Sequence, residues 1–241
     1  MSMRSFTINA TTNSETDLNL RITAPPVIPT TRRVVDDVKV EGRAGTLTRL
    51  GGFEDLEFEI GCALNAGNGP VFGQLAKINE VLGDPSDPLR YLQFSNLPQA
   101  YYQPKYAVVG EVEQISPSWW GFTITFICSP FAYLIDSGVA ELKVGTNWVK
   151  NPGNVFAEPE ITLNTSTPGT YELSVGGSKC AVKMEGYQLT IDTARRLCRV
   201  GDQLQVDALT GEFPTLNPGS NLVRIPEGIT GTVLIGNWRN L

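Results

Sequence analysis

The sequence predicts a mainly β protein, and three features of its pattern lead to this. Leu56, Phe58 and Ile60 alternate with two glutamates, which is the period of a strand with one buried and one wet face. Short strand candidates separated by turns continue to the C-terminus, and the 24 Gly and 16 Pro residues imply many turns. Helical spacing of apolar residues occurs convincingly in one segment, residues 70–83.

The length and composition suit one large β domain or two of ordinary size. The chain has 241 residues, of which 41% are hydrophobic and 18% are charged, so a core can form without a metal or disulfide. A clear break at residues 151–154 is followed by a second series of strands. We divide the chain into domains at residues 1–134 and 135–241.

The first domain is organised around residues 32–60, which read as strand, Gly turn, strand, Gly-Gly turn, strand. Val38 and Val40 alternate with Lys39 and Glu41, so we expect one buried and one wet face here also. The proline-rich segment 24–29 is predicted to be an edge or an arm, because proline lacks a donor. Other strand candidates cover residues 5–9, 18–22, 90–95, 107–115 and 121–128, with Ser129 and Pro130 ending the last run.

The predicted helix begins at Pro70 and is closed by Gly83, which are the usual positions of these residue types. Its apolar stripe is expected to consist of Phe72, Leu75, Ile78 and Leu82.

The second domain is predicted to be a sandwich or jelly roll, since many short strands follow one another without a convincing helix. Residues 135–150 read as a junction with one strand at 140–144. Phe213 and Leu216 are predicted to plug a long structured loop. The further strand candidates are residues 160–163, 171–175, 179–184, 187–192, 197–200, 203–206, 221–225 and 232–235.

Several kinds of function are disfavoured by composition. The net charge is −6 with no basic cluster, which argues against a nucleic-acid grip. There is no histidine, which removes His-dependent nucleophiles and metal sites. No apolar run is long enough to span a bilayer. The four cysteines form no CxxC pair and are expected to be reduced, although a Cys180–Cys198 bridge stays open.

Two motif-like stretches have ordinary explanations. Residues 67–73 resemble a dinucleotide fingerprint, but the third Gly falls late and Pro70 removes an N–H, so a helix-entry turn is favoured. Glu57 and Glu59 share a strand face, which favours a solvated surface over paired catalytic carboxylates.

Two pairs of adjacent aromatic residues leave three alternatives open. Tyr101–Tyr102 and Trp119–Trp120 could pack in the core, fill a subunit interface or stack on sugar rings. Neighbours in a strand point to opposite faces, so one residue of each pair is expected to face inward.

The motifs taken together resemble the distal tail proteins of siphophages, in a short form without an inserted carbohydrate-binding module. In the first half the matching features are the single helix and residues 40–47, 53–60 and 120–130. In the second half they are residues 151–153, 157–161, 189–192 and 211–221, and the ending Trp238–Arg239.

This resemblance implies a tail-tube-like β-barrel or split barrel with one α-helix, followed by a galectin-like β-sandwich. It also implies a non-enzymatic virion protein without cofactors, at the distal end of the phage tail and assembled in the host cytoplasm. A homo-oligomeric ring, usually hexameric, would join the tail tube to tail-tip or baseplate proteins. Tape measure and receptor-binding proteins are further implied partners, and DNA would pass through the lumen without specific binding.

We expect ring contacts from residues 34–60 and from the loop and helix at residues 61–83. An alternative is a carbohydrate-binding module of a phage or bacterial surface protein, acting through Trp119 or Trp120, and a cell-wall hydrolase is a third possibility. The candidate interface residues are Val38, Val40, Gly42, Arg43, Gly45, Leu47, Phe72, Trp119 and Trp120.

Overall fold

A computed structural model describes residues 5–42, 44–67, 70–136 and 138–241. The chain divides into two compact units. The first ends at Ala132 and also includes Leu241, and the second comprises Tyr133–Asn240. The predicted mainly β fold is confirmed in both.

The first unit is a curled half-barrel sheet with two helices. Its sheet order is β2-β1-β7-β8-β10-β6-β3, with β9 also paired to β10, and β4 pairs separately with β5. The elements are β1 Phe6–Ile8, β2 Thr12–Asn13, α1 Ser14–Leu18, β3 Leu20–Ile22, β4 Arg33–Lys39, β5 Thr46–Phe53, β6 Leu56–Asn65, α2 Val71–Gly83, β7 Leu92–Phe94, β8 Ala100–Val109, β9 Glu113–Ser116 and β10 Trp119–Leu134.

The centre of this sheet is the antiparallel pair of β6 and β10, which runs from Trp119 opposite Asn65 to Cys128 opposite Leu56. Burial alternates along β6, so the prediction for Leu56–Ile60 is confirmed. Phe58 lies in the core, where its ring centroid is 5.5 Å from that of Phe94 and 4.6 Å from that of Tyr102. These aromatic contacts hold the inner face of the half-barrel together.

Helix α2 occupies the predicted segment, with Pro70 as its N-terminal cap in an extended conformation. Ile78 and Leu82 are buried and Leu75 packs against the same core, as predicted. Phe72 is wrong as a member of the stripe, because its side chain is 81% exposed. Val71 takes its place, since it lies one turn before Leu75 on the same face. Gly83 is the last helical residue, and the cap is Asp84.

The short helix α1 was not predicted. Asn13 caps it by accepting hydrogen bonds from the backbone N–H groups of Glu15 and Thr16, at 2.9 and 3.3 Å. Asn19, at a φ of 53°, ends it in the left-handed conformation that asparagine tolerates. A five-residue helix offers too little apolar periodicity to stand out in the sequence.

Two predicted strand boundaries in the first unit are wrong. Residues 107–115 are divided between β8 and β9, because residues 110–112 leave the sheet. Strand β10 continues past Ser129 and Pro130 to Leu134. Pairing with β6 ends at Cys128, before Pro130, and the Pro130 carbonyl accepts from Thr31 Oγ1 at 2.8 Å.

The second unit is a β-sandwich. Its sheets have the strand orders β11-β21-β13-β16-β17-β18 and β12-β20-β14-β15-β19. The elements are β11 Val139–Leu142, β12 Gly145–Asn151, β13 Glu160–Thr165, β14 Gly169–Val175, β15 Ser178–Met184, β16 Gln188–Asp192, β17 Leu197–Val200, β18 Gln203–Leu204, β19 Leu209–Gly211, β20 Gly219–Ile225, β21 Ile229–Ile235 and β22 Arg239–Asn240.

The two sheets bury a common core. Leu163 and Ile191 from one sheet and Val182 and Val223 from the other are inaccessible to solvent and belong to one cluster. Leu216 is buried against the same core and exchanges backbone hydrogen bonds with Ala157, so its predicted role in the long loop is confirmed.

The strand predicted at residues 140–144 overlaps β11, but the rest of the predicted junction at residues 135–150 is wrong, because it contains most of β12. Gly145, at a φ of +94°, begins β12 directly after the turn. Asn147 then fixes the turn, since its side-chain amide accepts from the Lys143 N–H at 2.9 Å and donates to the Lys143 carbonyl at 2.7 Å. The strands β19 and β22 were not predicted either, and both are very short.

Candidate assembly interface

The hairpin of β4 and β5 is exposed along its whole length. Every side chain of the two strands is exposed except that of Phe53, which is half-buried. The prediction of a buried face for Val38 and Val40 is therefore wrong for the single chain. Apolar exposure of this extent is typical of an interaction surface. The exposed apolar residues are Val34, Val35, Val38, Val40, Leu47 and Leu50.

Cross-strand pairing gives both faces of the hairpin an apolar pair. Val38 lies opposite Leu47, and Val35 lies opposite Leu50. Residues 35 and 38 differ by an odd number of positions, so the two pairs are on opposite faces. We name these faces the Val38 face and the Val35 face. Neither is covered by another part of the chain that the structure describes.

Polar pairs accompany the apolar pair on each face. Asp36 lies opposite Arg49 on the Val38 face, which places opposite charges side by side. On the Val35 face Thr48 donates a hydrogen bond from Oγ1 to Asp37 Oδ1 at 2.7 Å. Each face thus combines apolar area with directional polar groups, which is the composition of a specific protein interface.

The base of the hairpin is held by contacts within the first unit. The Glu54 N–H donates to the Arg32 carbonyl at 2.9 Å. The Arg33 guanidinium lies 5.0 Å from the centroid of the Phe53 ring, and that ring meets Phe131 edge-on at 5.7 Å. These contacts hold the base of the hairpin in place, whereas the rest of the hairpin is exposed.

The tip of the hairpin depends on two glycines. Gly42 and Gly45 have φ values of +79° and +84°, in the region that other residues rarely adopt. A Cβ atom at either position would meet nothing within 4 Å, so the requirement is conformational. Arg43, the other predicted interface residue of this turn, lies outside the described residues.

The remaining predicted interface residues lie on other elements. Phe72 is on α2 and is 81% exposed, so its aromatic ring is accessible to another molecule. Trp120 packs against the core, so the prediction that one of the two tryptophans faces inward is confirmed. Trp119 is half-buried beneath Arg21, whose guanidinium is 5.9 Å from the ring centroid.

The tyrosine pair divides in the same way. Tyr102 is buried, and the Tyr101 ring stacks on the ring of Tyr91 at 4.6 Å. The alternation along β8 therefore separates a core tyrosine from a surface one.

The structure brings Val38, Val40, Gly42, Gly45 and Leu47 together in one hairpin. Val35 and Leu50, which form the apolar pair of the Val35 face, lie within the predicted contact range 34–60 but were not among the individually predicted interface residues. Their signal in the sequence is weak, because the residues two positions from Val35 are Arg33 and Asp37, and those two positions from Leu50 are Thr48 and Gly52. A strand with apolar residues on both faces would ordinarily be assigned to the interior of a protein.

The thiols do not provide reactive chemistry. All four cysteines are free and buried, which leaves the Cys180–Cys198 bridge unformed. Burial raises the pKa of Cys62 and Cys128 to about 12 and that of Cys180 and Cys198 to about 11, so the thiols are protonated at neutral pH.

The glutamate pair considered in the sequence has the surface position that was favoured there. Glu57 and Glu59 lie on the exposed face of β6. The fingerprint-like stretch cannot be followed, since Asn68 and Gly69 lie outside the described residues. Within the described ranges, no group of three or more Cys, Asp or Glu side chains could hold a metal ion. No helix among the described residues is long and apolar enough to cross a membrane.

Known proteins resemble this chain in fold. The crystal structure of the SPP1 Dit protein, described as a paradigm of the hub adsorption apparatus in phages infecting Gram-positive hosts, matches with a TM-score of 0.73 at 15% identity over 99% of both chains. Two structures of the activated phage p2 baseplate, with Sr and with Ca, match over 96% of both chains with TM-scores of 0.46 and 0.47 at 10% and 8% identity. No family model and no curated protein matches the sequence.

The comparison with SPP1 Dit shows that this chain has the fold of a phage hub protein across its whole described length. The resemblance found in the sequence motifs is thereby confirmed at the level of the fold. A shared fold does not by itself establish a function, so the surfaces of this chain must supply the evidence for one.

Proposed function

We propose that the chain is a structural, non-enzymatic phage tail protein. It forms the hub ring that joins the distal end of the tail tube to the tail-tip or baseplate proteins. The observation that carries this proposal is the hairpin of β4 and β5, whose two faces both expose an apolar pair. The fold shared with a phage hub protein supports it.

The two-faced hairpin favours a ring over a simple dimer. A two-stranded hairpin is marginally stable in water, so partners are expected to cover it. A twofold dimer buries one patch against its own copy and would cover one face. A ring uses two different patches on every subunit, so both the Val38 face and the Val35 face can be covered.

Six copies, the number implied by the resemblance, would give a mass of six times 26.2 kDa. In the virion the ring contacts the tail tube protein on one side and a tail-tip protein on the other, with the tape measure and receptor-binding proteins as further partners. The net charge of −6 suits a lumen through which DNA passes without specific binding.

Light scattering coupled to size exclusion tests the ring, using the full chain alone and with its tube protein. Two double variants each place lysines on one face of the hairpin, Val38→Lys with Leu47→Lys and Val35→Lys with Leu50→Lys. We expect either double variant to abolish the ring while the subunit stays folded by circular dichroism. Val206→Lys is the control, because this second-unit side chain is 90% exposed and outside the hairpin.

The outcomes are distinct. Rings that survive both double variants would contradict the hairpin as the contact. A dimer that is lost in one double variant and kept in the other would indicate a twofold contact. A chain that stays monomeric at high concentration and with its tube protein would overturn the ring.

A further inference from the structure

The sandwich presents a row of polar side chains across four neighbouring strands of one sheet. Thr146 on β12 lies opposite Arg224 on β20, and Arg224 lies opposite Ser174 on β14. Ser174 in turn lies opposite Lys179 on β15. Residues paired across strands share a face, so these four side chains stand in line. Their sequence neighbours Leu173, Val223 and Ile225 are buried, so the row is on the face turned away from the core.

Two further features flank this row. Glu172 lies opposite Ala181, and Ala181 lies opposite Thr210, which forms a second polar row on the same face. On the other side is Trp148, two residues from Thr146 on β12 and therefore on the same face. Its side chain is 72% exposed, so a flat aromatic ring lies diagonal to the Arg224 guanidinium.

Arg224, Lys179 and Glu172 make no ion pair or side-chain hydrogen bond in the described part of the chain. Elsewhere in the same unit, Lys183 and Arg199 find carboxylates at 2.7 and 3.2 Å. The donors and acceptors of the two rows are thus available to a ligand.

The two polar rows line a concavity of about 580 Å³, and Trp148 is two residues along β12 from the lining residue Thr146. Ligand sites of small molecules fall in the range of about 300–1,000 Å³. The concavity is also lined by Leu173, Cys180 and Ile225, whose side chains belong to the core on the other side of the sheet. Two cations and one carboxylate give this face a net charge of +1, in a chain whose net charge is −6.

We propose that this face of the sandwich, from Trp148 across Arg224 to Thr210, binds a saccharide that carries a carboxylate or phosphate group. The indole ring offers a flat apolar surface for one face of a pyranose ring. Thr146, Ser174, Thr210 and Glu172 supply hydrogen bonds to hydroxyl groups, and Arg224 and Lys179 bind the anion.

A saccharide suits this face better than a protein does. The large apolar anchors that form the core of a protein interface are reduced here to Trp148 and Leu222, and the rest of the surface is polar. The site is independent of the hairpin and does not rest on the proposed ring.

Binding is tested on the full chain by titration calorimetry or ligand-observed NMR with three probes: methyl glucoside, methyl glucuronide and glucose 1-phosphate. We expect a Kd on the order of 1 mM for at least one anionic probe, as befits a small ligand on an open face. Methyl glucoside should bind more weakly, and salt should weaken the anionic probe. The two anionic probes distinguish a carboxylate from a phosphate.

Two variants and two matched controls locate the site. Trp148→Ala and Arg224→Gln should each weaken the anionic probe about tenfold, since they remove the stacking ring and a charge-assisted hydrogen bond. Tyr187→Ala and Arg196→Gln remove an exposed aromatic and an exposed cation outside the two rows and should leave binding unchanged. Circular dichroism confirms that each variant is folded.

The proposal is overturned if none of the three probes binds, or if binding is equal in the Trp148→Ala and Tyr187→Ala chains. Stronger binding of the uncharged glucoside, insensitive to Arg224→Gln, would overturn the anionic assignment. Rings that form normally while saccharide binding is absent would overturn this site alone and leave the hub proposal intact.

Discussion

The hairpin β4–β5 and the neighbouring strand β6 show the same period of two and opposite burial. In β6 every second side chain is inside the half-barrel core. In the hairpin no side chain is fully buried, although Val38 alternates with polar neighbours just as Phe58 does. Alternation therefore identifies which residues share a face, and it leaves open whether the chain itself or a partner covers that face. Substitutions of buried groups should therefore destabilise the subunit more than substitutions in the exposed hairpin.

The largest expected effect is in β6. Phe58→Ala should lower the free energy of unfolding by about 4 kcal/mol, because it removes a buried ring and leaves a cavity beside Phe94 and Tyr102. Chemical denaturation followed by circular dichroism measures it. The comparison would break down if the loss were below about 1 kcal/mol, since Phe58 would then not be a core residue in solution.

An ion pair in the sandwich, between a buried arginine and a half-buried glutamate, should have the next largest effect. Arg239 is buried, and its Nη1 atom is 2.8 Å from Glu158 Oε2 while Nε donates to the Phe156 carbonyl at 2.9 Å. Arg239→Met should cost about 3 kcal/mol in thermal or chemical unfolding, because Glu158 keeps its charge without a partner.

The matched control is Lys183→Met, at an ion pair of 2.7 Å in which both side chains are exposed. Solvent screens that pair, so the melting temperature should not change measurably. Equal losses in the two variants would show that burial does not decide the strength of these pairs.

The buried thiols predict a loss of stability at alkaline pH. Burial raises the pKa of Cys62 and Cys128 from 9.0 to about 12, so the folded chain keeps protons that the unfolded chain releases. The stability these groups contribute is complete below pH 9 and is lost as the pH rises from 9 to about 12. Melting temperatures measured from pH 7 to pH 11 should fall above pH 9.

A Cys62→Ser, Cys128→Ser chain serves as the control and should show a shallower fall over the same range. The same slope in both chains would assign the alkaline loss to other groups, such as Tyr102, whose pKa burial also raises.

The smallest effect is expected in the hairpin. Val38→Ala and Leu50→Ala, one on each face, should change the free energy of unfolding of the dilute monomer by no more than about 0.5 kcal/mol, because both side chains are exposed. Denaturation at low protein concentration measures this. A loss comparable to that of Phe58→Ala would mean that the hairpin folds back onto its own subunit.

Much of the fold could be predicted from the sequence, because its signals are local. The alternation of Leu56–Ile60, the helix and the strand Leu197–Val200 are carried by residues that face their own core. The short helix α1 and the strand β12 were missed, since a side-chain cap and one left-handed glycine determine where they begin. Phe72 and its neighbour Val71 fit the helical period equally well, so the sequence pattern does not decide which of the two faces the core.

The candidate surfaces were only partly predictable. The hairpin tip and the Val38 face follow from residues 38–47, whereas the Val35 face required the register that pairs Val35 with Leu50. The polar rows of the sandwich could not be found in the sequence at all. Thr146, Arg224, Ser174 and Lys179 are far apart in the chain, and strand order alone puts them in line.

Hydrogen–deuterium exchange tests the central claim most directly, by comparing the dilute subunit with the assembled ring. If neighbouring subunits cover both faces of the hairpin, amides of Arg33–Lys39 and Thr46–Phe53 should exchange far more slowly in the ring, while those of β6 stay slow in both states. Hairpin amides that exchange equally fast in the subunit and in the ring would contradict the claim.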